Sequence, residues 1–532
     1  MSGNGQAARP YRLNMWPMNR DATLDDHARY RALCSHDARF DGRFFIGVTS
    51  TSIYCRPVCR VRLPRRENCR FFDHAAQAEQ AGFRPCLRCR PELAPLNRHW
   101  SAEDAGTILA RQAMGLLDDP QNWTTNATEG TAISHLSKRL GISDRHLRRI
   151  FEAHIGVSPQ RYLQTRKLLS AKQLLADTRL PVSQVAHASG FGSLRRFNGA
   201  LQAHYGLSPT QMRRSQPAPR DHEAAQPGTT ARLSWRPPYD ATAMLAFLAA
   251  RQLPGVEWVQ PEALSLHRTV RLVVGGQAHS GWLVAQLQPA AHRLVLRASD
   301  SLHAVLPSLI WRVRALFDLD ADPQAINAVL HPQFPTGDGL RVPGGLDGFE
   351  LAVRAVLGQQ ITVAAARTLA QRLVERFGEP IDTPFAGLHR LFPSAHTLAN
   401  AEPQSLGELG IVRQRQATIQ ALAGAVAEGS LDLDGQADLP TTLLSLQALP
   451  GIGTWTAQYV AMRALRWPGA WPTGDAALHQ ALDLDHRLGV ATRRQADSLA
   501  SAWRPWRSYA VLRAWAGTYQ APFTTAPQEA SP

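Results

Sequence analysis

The chain has no cysteine beyond Cys89, no apolar run approaching the roughly 18 residues of a membrane-spanning helix, and no net charge after residue 214. The first absence leaves residues 90–532 without thiolate ligands for an iron–sulfur cluster. The second excludes a helical membrane protein and a membrane partner. The polar opening MSGNGQAARP also lacks the apolar h-region of a signal peptide, which predicts a cytoplasmic location. As to the third, residues 215–532 carry 26 basic and 26 acidic side chains, whereas residues 1–214 carry 32 basic and 17 acidic, the whole net charge of +15. A basic front end joined to a neutral back half points to a polyanion, and nucleic acid is the simplest one. At 532 residues the chain is too long for one compact unit and predicts about three to five domains.

All six cysteines fall between Cys34 and Cys89. Cys55 and Cys59 are separated by three residues and Cys86 and Cys89 by two, with 26 residues between the pairs. In a reducing compartment, two short chelating turns folded together predict one tetrahedral Zn²⁺ bound by four thiolates rather than disulfides. Cys34 and Cys69 lie outside the spacing and are expected to be packed, unliganded thiols. Spacing alone favours a purely structural zinc knuckle.

Ile53 to Cys59 reads Ile-Tyr-Cys-Arg-Pro-Val-Cys and Gly82 to Cys89 reads Gly-Phe-Arg-Pro-Cys-Leu-Arg-Cys. With the long gap between them, these motifs resemble the amino-terminal domain of the Ada adaptive-response family over about residues 37–91. The resemblance implies that Cys55 takes a methyl group from a DNA methylphosphotriester, with Cys59, Cys86 and Cys89 as the other ligands. Arg56, Arg60, Arg62, Arg65 and Arg66 surround it in sequence and are suited to guiding a phosphate backbone. Methylation would replace a thiolate by a neutral thioether, making the site less repelled by DNA. Ser52 stands where the family commonly has Gly.

Past Trp100 an internal repeat appears at an offset of 50 residues. Ser143, Arg145, Gly156, Ser158 and Pro159 recur as Ser193, Arg195, Gly206, Ser208 and Pro209. Gly141 and Gly190 supply turns between short helices, and each Ser is placed to cap a recognition helix. Arg145, His146, Arg148 and Arg149, then Arg195, Arg196 and Asn198, are expected on the exposed sides, while Leu147, Phe151, Phe197 and Leu201 are expected in the core. Residues 130–215 resemble the AraC-type DNA-binding domain, which implies contacts in two successive major grooves.

SQPAPRDHEAAQPGTT, residues 215–230, reads as a linker, and RLSWRPPYDATAMLAFLAARQLPG after it resembles the opening of the AlkA 3-methyladenine glycosylase family. TVRLVVGG and HRLVLRAS predict strands, and Tyr239 and Asp240 a helix start. LPGIGTWTAQYVAMRA, Leu449 to Ala464, carries Gly451 and Gly453 in a turn between helices, where backbone N–H groups can approach a phosphate. Asp475 follows Gly453 by 22 residues, near the start of another helix. This arrangement resembles the helix-hairpin-helix DNA glycosylase superfamily, whose essential aspartate aligns with Asp475. Trp455 stands at the hairpin position where glycosylase-lyases carry Lys, so a Schiff base is not expected and the enzyme reads as monofunctional.

Trp455 and Tyr459 lie one helical turn apart and can face one pocket, to which the resemblance adds Trp515. Electron-rich rings attract a cationic methylated base. The alternatives are core roles for the three rings and a simple N-cap for Asp475. The resemblance also places Gln359 and Gln360 at the DNA gap, with Gln360 as the wedge and Ile361 as its substitute.

The expected fold is multidomain: a flexible N-terminus (1–25), a small α+β zinc domain (26–97), an all-α double helix-turn-helix domain (98–214), a linker (215–230), a small α+β sheet domain (231–315), an all-α helix-hairpin-helix glycosylase domain (316–522) and a flexible tail (523–532). The expected function is DNA alkylation repair and its transcriptional regulation. The partners are alkylated and promoter double-stranded DNA, with RNA polymerase a candidate addition, and the chain is expected to be a monomer. A Pro-Cys-His-Arg motif of O⁶-methylguanine methyltransferases is absent, so that activity is not expected. Two rival readings are a methyl-activated regulator whose back half binds DNA without catalysis, and a zinc-containing structural DNA-binding protein.

Overall fold

A computed structural model describes residues 25–96, 105–123, 132–214, 227–434, 438–484 and 490–518. The tail, residues 1–24 and linker residues 215–226 lie outside the described residues, as does the expected boundary near residue 97.

The zinc domain is built on strands β1 (Phe45–Val48), β2 (Ile53–Cys55), β3 (Cys69–Phe72) and β4 (Arg84–Pro85), in the order β3-β1-β2-β4. β2 and β4 run parallel, pairing Tyr54 with Pro85. The Cys86 N–H then bonds to the Tyr54 carbonyl at 2.9 Å, which sets Cys55 and Cys86 side by side. Parallel neighbours need a crossover, and helix Ala75–Gln80 lies within it. Ser52, just before β2, has a φ of +52°, a left-handed turn that explains why a glycine suits this position.

Next come two helix pairs, Ala132–Arg139 with Asp144–Ile155 and Val182–Ala188 with Leu194–Tyr205, joined by helix Pro159–Asp177. The Ser143 and Ser193 side chains accept N–H bonds from His146 and Arg196, the caps expected from the repeat. Gly141 and Gly190 turn between the helices at φ +67° and +76°. Leu147, Phe151, Phe197 and Leu201 are buried.

The back half opens with a five-stranded antiparallel sheet of β5 (Thr229–Ser234), β6 (Glu257–Gln260), β7 (Ser265–Val274), β8 (Gln277–Gln288) and β9 (Arg293–Ala298), ordered β5-β9-β8-β7-β6. β7 and β9 take up the two runs expected to be strands, except for Gly275, Gly276, His292 and Ser299 at their ends. β5 begins at Thr229, inside the stretch read as linker, because its backbone pairs with β9 from that residue on. Asp240 caps helix Ala241–Ala249, as expected. Helix Leu306–Leu316 packs its Leu309, Val313 and Leu316 into the sheet core. Beyond it the chain is helical, with two apolar cores, one under Val356, Leu373 and Val460 and the other under Trp471, Trp503 and Tyr509.

Candidate functional site

The Cys55, Cys59, Cys86 and Cys89 sulfurs all lie within 4.8 Å of one another. A tetrahedral Zn–S distance of about 2.3 Å requires sulfurs about 3.8 Å apart, so the donor set fits Zn²⁺ in number, chemistry and approximate spacing. Hydrogen bonds from Cys55 pull the Cys59 and Cys86 thiols down, whereas bonding to Cys59 pushes Cys55 up and burial pushes Cys89 up. Four thiols thus share protons that a soft dication displaces on binding. Cys69 is buried and bonds to the Arg65 carbonyl at 3.4 Å, as befits a packed thiol. Cys34, expected to be packed as well, is exposed at the end of helix Asp26–Cys34.

Arg56 departs from its expected role as a phosphate guide. It is 6% exposed; its Nε donates to Asp41 Oδ1 at 2.8 Å, Nη2 pairs with Oδ2, and Nη1 donates to the Cys89 carbonyl at 3.0 Å. A guanidinium so enclosed is turned inward, away from an approaching backbone phosphate. Its amide also points at Cys89 Sγ at 3.4 Å. Arg66 stacks on Phe71 and pairs with Asp26; of the five arginines, Arg60, Arg62 and Arg65 are exposed, Arg65 within 3.6 Å of Glu67.

In the helical pairs, Arg145, Arg148 and Arg149 are exposed on the helix capped by Ser143, and Arg195, Arg196 and Asn198 on the helix capped by Ser193. Each set stands on the face opposite its buried leucine and phenylalanine.

In the back half, Asp475 caps helix Ala476–Ala481: its Oδ1 accepts the Leu478 N–H at 2.8 Å. The same oxygen accepts the Trp515 Nε1–H at 3.0 Å, and Oδ2 accepts the Trp455 Nε1–H at 2.9 Å. One carboxylate thus forms the helix cap and meets both indoles. Trp455 and Tyr459 stack with centroids 5.2 Å apart and 14° between planes, and Trp515 lies 6.4 Å from Tyr459. All three rings and Asp475 are half-buried, at the rim of the core.

Gly451 turns the hairpin at φ +81°, and a Cβ there would lie 2.1 Å from Thr418 Oγ1. Around Gly453 there is open space, leaving its backbone approachable. Gln360 is exposed at φ +56°, at the apex between helices Gly348–Leu357 and Val363–Phe377, whereas Ile361 packs on the core. Gln359 faces the protein: its Nε2 donates to the Gly451 carbonyl at 2.9 Å and Thr456 Oγ1 at 3.0 Å, and its carbonyl accepts from Arg415. Its amide nitrogen thus ties the turn at Gln359 and Gln360 to the hairpin, facing the protein and not solvent.

Three residues of this site escaped the sequence reading. Arg463 Nη1 donates to the Tyr459 hydroxyl at 2.6 Å, and its guanidinium lies 4.9 Å from the Phe247 ring, over which Arg251 also sits at 3.7 Å. Burial alone would raise Tyr459, but Arg463 and Arg251 outweigh it and hold the phenol below its ordinary range. The Tyr459–Arg463 spacing of four was a visible signal. Phe247 and Arg251 lie about two hundred residues away, and only the fold brings them here.

Four family models cover these units: the metal-binding domain of Ada (28–92), a helix-turn-helix domain (136–215), the AlkA N-terminal domain (230–347) and the HhH-GPD superfamily base excision DNA repair protein (353–506). No helix among the described residues is long and apolar enough to cross a membrane. DNA-3-methyladenine glycosylase 2 of Escherichia coli is 36% identical over 283 residues, 53% of this chain and 95% of that protein. The bifunctional transcriptional activator/DNA repair enzyme Ada of E. coli is 31% identical over 196 residues, 37% of this chain and 51% of that one. A Mycobacterium tuberculosis protein named "probable bifunctional transcriptional activator/DNA repair enzyme AlkA" spans both regions, 38% identical over 501 residues, 92% of this chain and 96% of the relative. Carrying all four units and aligned with that relative over 92% of its length, the chain belongs to the family of fused Ada- and AlkA-type transcriptional activator/DNA repair proteins.

Proposed function

We propose that the chain repairs alkylated DNA at two centres and couples one of them to transcription. The observation that carries the excision reading is Asp475, whose carboxylate is fixed by two indoles and a helix N-terminal amide. A carboxylate offers about four acceptor positions. Three are occupied here, and the remaining one is on Oδ2, free for a water. A purine methylated at a ring nitrogen is cationic and is drawn between Trp455, Tyr459 and Trp515. It departs with the glycosidic electron pair and becomes neutral, the oxocarbenium ion left at C1′ is stabilised by the Asp475 charge, and water adds to give an abasic sugar. Trp455 supplies no amine, so strand cleavage through a Schiff base does not follow. The activity is that of a monofunctional 3-methyladenine-type DNA glycosylase.

At the front end, the four cysteines would hold one Zn²⁺, which keeps the acceptor sulfur as a thiolate at neutral pH. The Cys55 sulfur forms a bond to the methyl carbon of a phosphotriester, the C–O bond breaks, and the electron pair returns to the phosphate as a diester anion. No base regenerates the thioether, so transfer is stoichiometric. With one negative charge removed beside exposed Arg60, Arg62 and Arg65, the domain binds promoter DNA more tightly through the two helix-turn-helix faces. The protein acts as a monomer, with RNA polymerase as its further partner at the promoter.

The test exposes the full chain to DNA carrying both lesions. Release of methylated purines together with one methyl on Cys55, located by peptide mass, supports the reading. Binding of alkylated DNA without base release would replace it by the regulator reading.

A further inference from the structure

Arg236 opens the back half after β5 and is 1% exposed. Its Nε donates to the Asp41 carbonyl at 2.7 Å, Nη1 to the Asp320 and Ala321 carbonyls at 2.8 and 3.2 Å, and Nη2 to the Pro95 and Leu96 carbonyls at 3.3 and 3.2 Å. All five N–H donors of a guanidinium are thereby spent on carbonyls, three of them in the zinc domain. Beside it, Arg43 Nε donates to Asp322 Oδ2 at 2.6 Å and the Leu96 N–H bonds to Asp320 Oδ1 at 2.8 Å. The contacts run both ways, zinc-domain donors to back-half carboxylates and a back-half donor to zinc-domain carbonyls.

A second strip lies along helix Pro159–Asp177. The Asp177 side chain is fully buried and takes Arg90 Nη1 from the zinc domain at 2.6 Å together with the Arg232 N–H and Nη1 of β5 at 3.1 and 3.2 Å. Around it the apolar core of the second helix pair, with Leu174, Val185 and Phe197, is continuous with that of the sheet, with Leu233, Leu294 and Leu302. Parting the two would expose that core, strip Arg236 of its three zinc-domain carbonyls and take both Arg232 donors from buried Asp177, the character of an obligate interface.

We propose that residues 1–214 and 227–518 carry matched docking surfaces, so that the acceptor centre and the excision centre remain one assembly without the chain that connects them. The seat is the zinc-domain face of Asp41, Arg43, Pro95 and Leu96, and its partner is the back-half surface of Arg236, Asp320 and Asp322. The seat is fastened to the acceptor centre, since the Asp41 carboxylate is held by Arg56, which bonds to Cys89. The inference does not depend on the proposed chemistry, because its test reads association and not activity.

A protease site is inserted between residues 215 and 226 of the full chain, which is cut after purification and run by size exclusion at micromolar concentration. The fragments are expected to co-elute. Arg43→Asp should weaken their association roughly 30-fold or more, as expected when one partner of an enclosed charge pair is reversed. Adding Asp322→Arg should restore it, which also separates a lost contact from a misfolded chain. Separate elution of the wild-type fragments, or equal affinity for the Arg43→Asp fragments, overturns the proposal. Hydrogen exchange on the uncut wild-type chain gives an independent reading: the Leu96 amide should be protected, and rapid exchange there would overturn the seat.

Discussion

Replacing Asp475 by Asn separates the two duties of that side chain. As a helix cap Asn serves about as well as Asp, and the Leu478 N–H can still bond to the amide oxygen at the Oδ1 position. That orientation turns the Asn NH₂ toward Trp455 Nε1, a donor 2.9 Å from the present Oδ2, so two donors oppose each other. Flipping the amide relieves Trp455 but sets the NH₂ against both Leu478 N and Trp515 Nε1, at 2.8 and 3.0 Å. One indole contact is lost in the first arrangement and two donors are opposed in the second, so the first is favoured and Trp455 is released. Loss of the charge opposite the oxocarbenium ion, together with that misplacement, should lower base release by about 10² to 10³ or more. DNA binding and thermal stability should be nearly unchanged. The assay is single-turnover release of methylated purine from duplex DNA, with tryptophan fluorescence reporting the freed indole. Asp475→Ser, which keeps the cap and cannot carry charge, should lose activity equally. Release at the wild-type rate by Asp475→Asn would sink the assignment and leave Asp475 as a cap alone.

Methylation of Cys55 should strengthen promoter binding by the full chain several-fold, on the basis of about 1 kcal/mol for one charge near a phosphate in a wet setting; equal affinities in a titration at fixed salt would refute the electrostatic switch. Arg56→Met should lower stability by roughly 3 to 5 kcal/mol, because it leaves Asp41 buried without its partner. Arg62→Ala should hardly change stability while reducing the salt slope of DNA binding by about one. Burial pushes Glu79 from 4.5 up to about 7, although Tyr54 and Thr165 both donate to it. The folded chain therefore holds a proton that the unfolded chain releases, and stability should fall between about pH 4.5 and 7, by as much as roughly 3 kcal/mol, and stay lower above that. Unfolding midpoints across this range should lose that slope in Glu79→Gln.

What could be read in the sequence was local. Two chelating turns, a repeat with its capping serines, and a Gly-x-Gly followed by Asp475 each keep their meaning over a few dozen residues, so spacing exposed them. The burial of Arg56 is not legible because its partner Asp41 lies 15 residues back, across the β1–β2 hairpin, where no periodicity links the two. Gln359 was read as a DNA contact because motif position says nothing about the direction of an amide, and its partners Gly451 and Thr456 are more than ninety residues away. Arg43 and Asp322 are separated by 279 residues, beyond any pattern in one chain.

Helix Arg413–Ala427 lies beneath both ends of the excision tool: Thr418 fills the space where a Gly451 side chain would be, and Arg415 holds the Gln359 carbonyl next to Gln360. If the hairpin turn approaches the backbone and Gln360 probes the gap, as the family resemblance implies, both ride on one helix. A support shared in this way would leave the two little freedom to adjust to the target separately. The duplex supplies the deformation, and a base pair already weakened by alkylation yields at lower cost than an intact one. On that reading discrimination would begin in the mechanics of the DNA, before any base has entered the aromatic pocket.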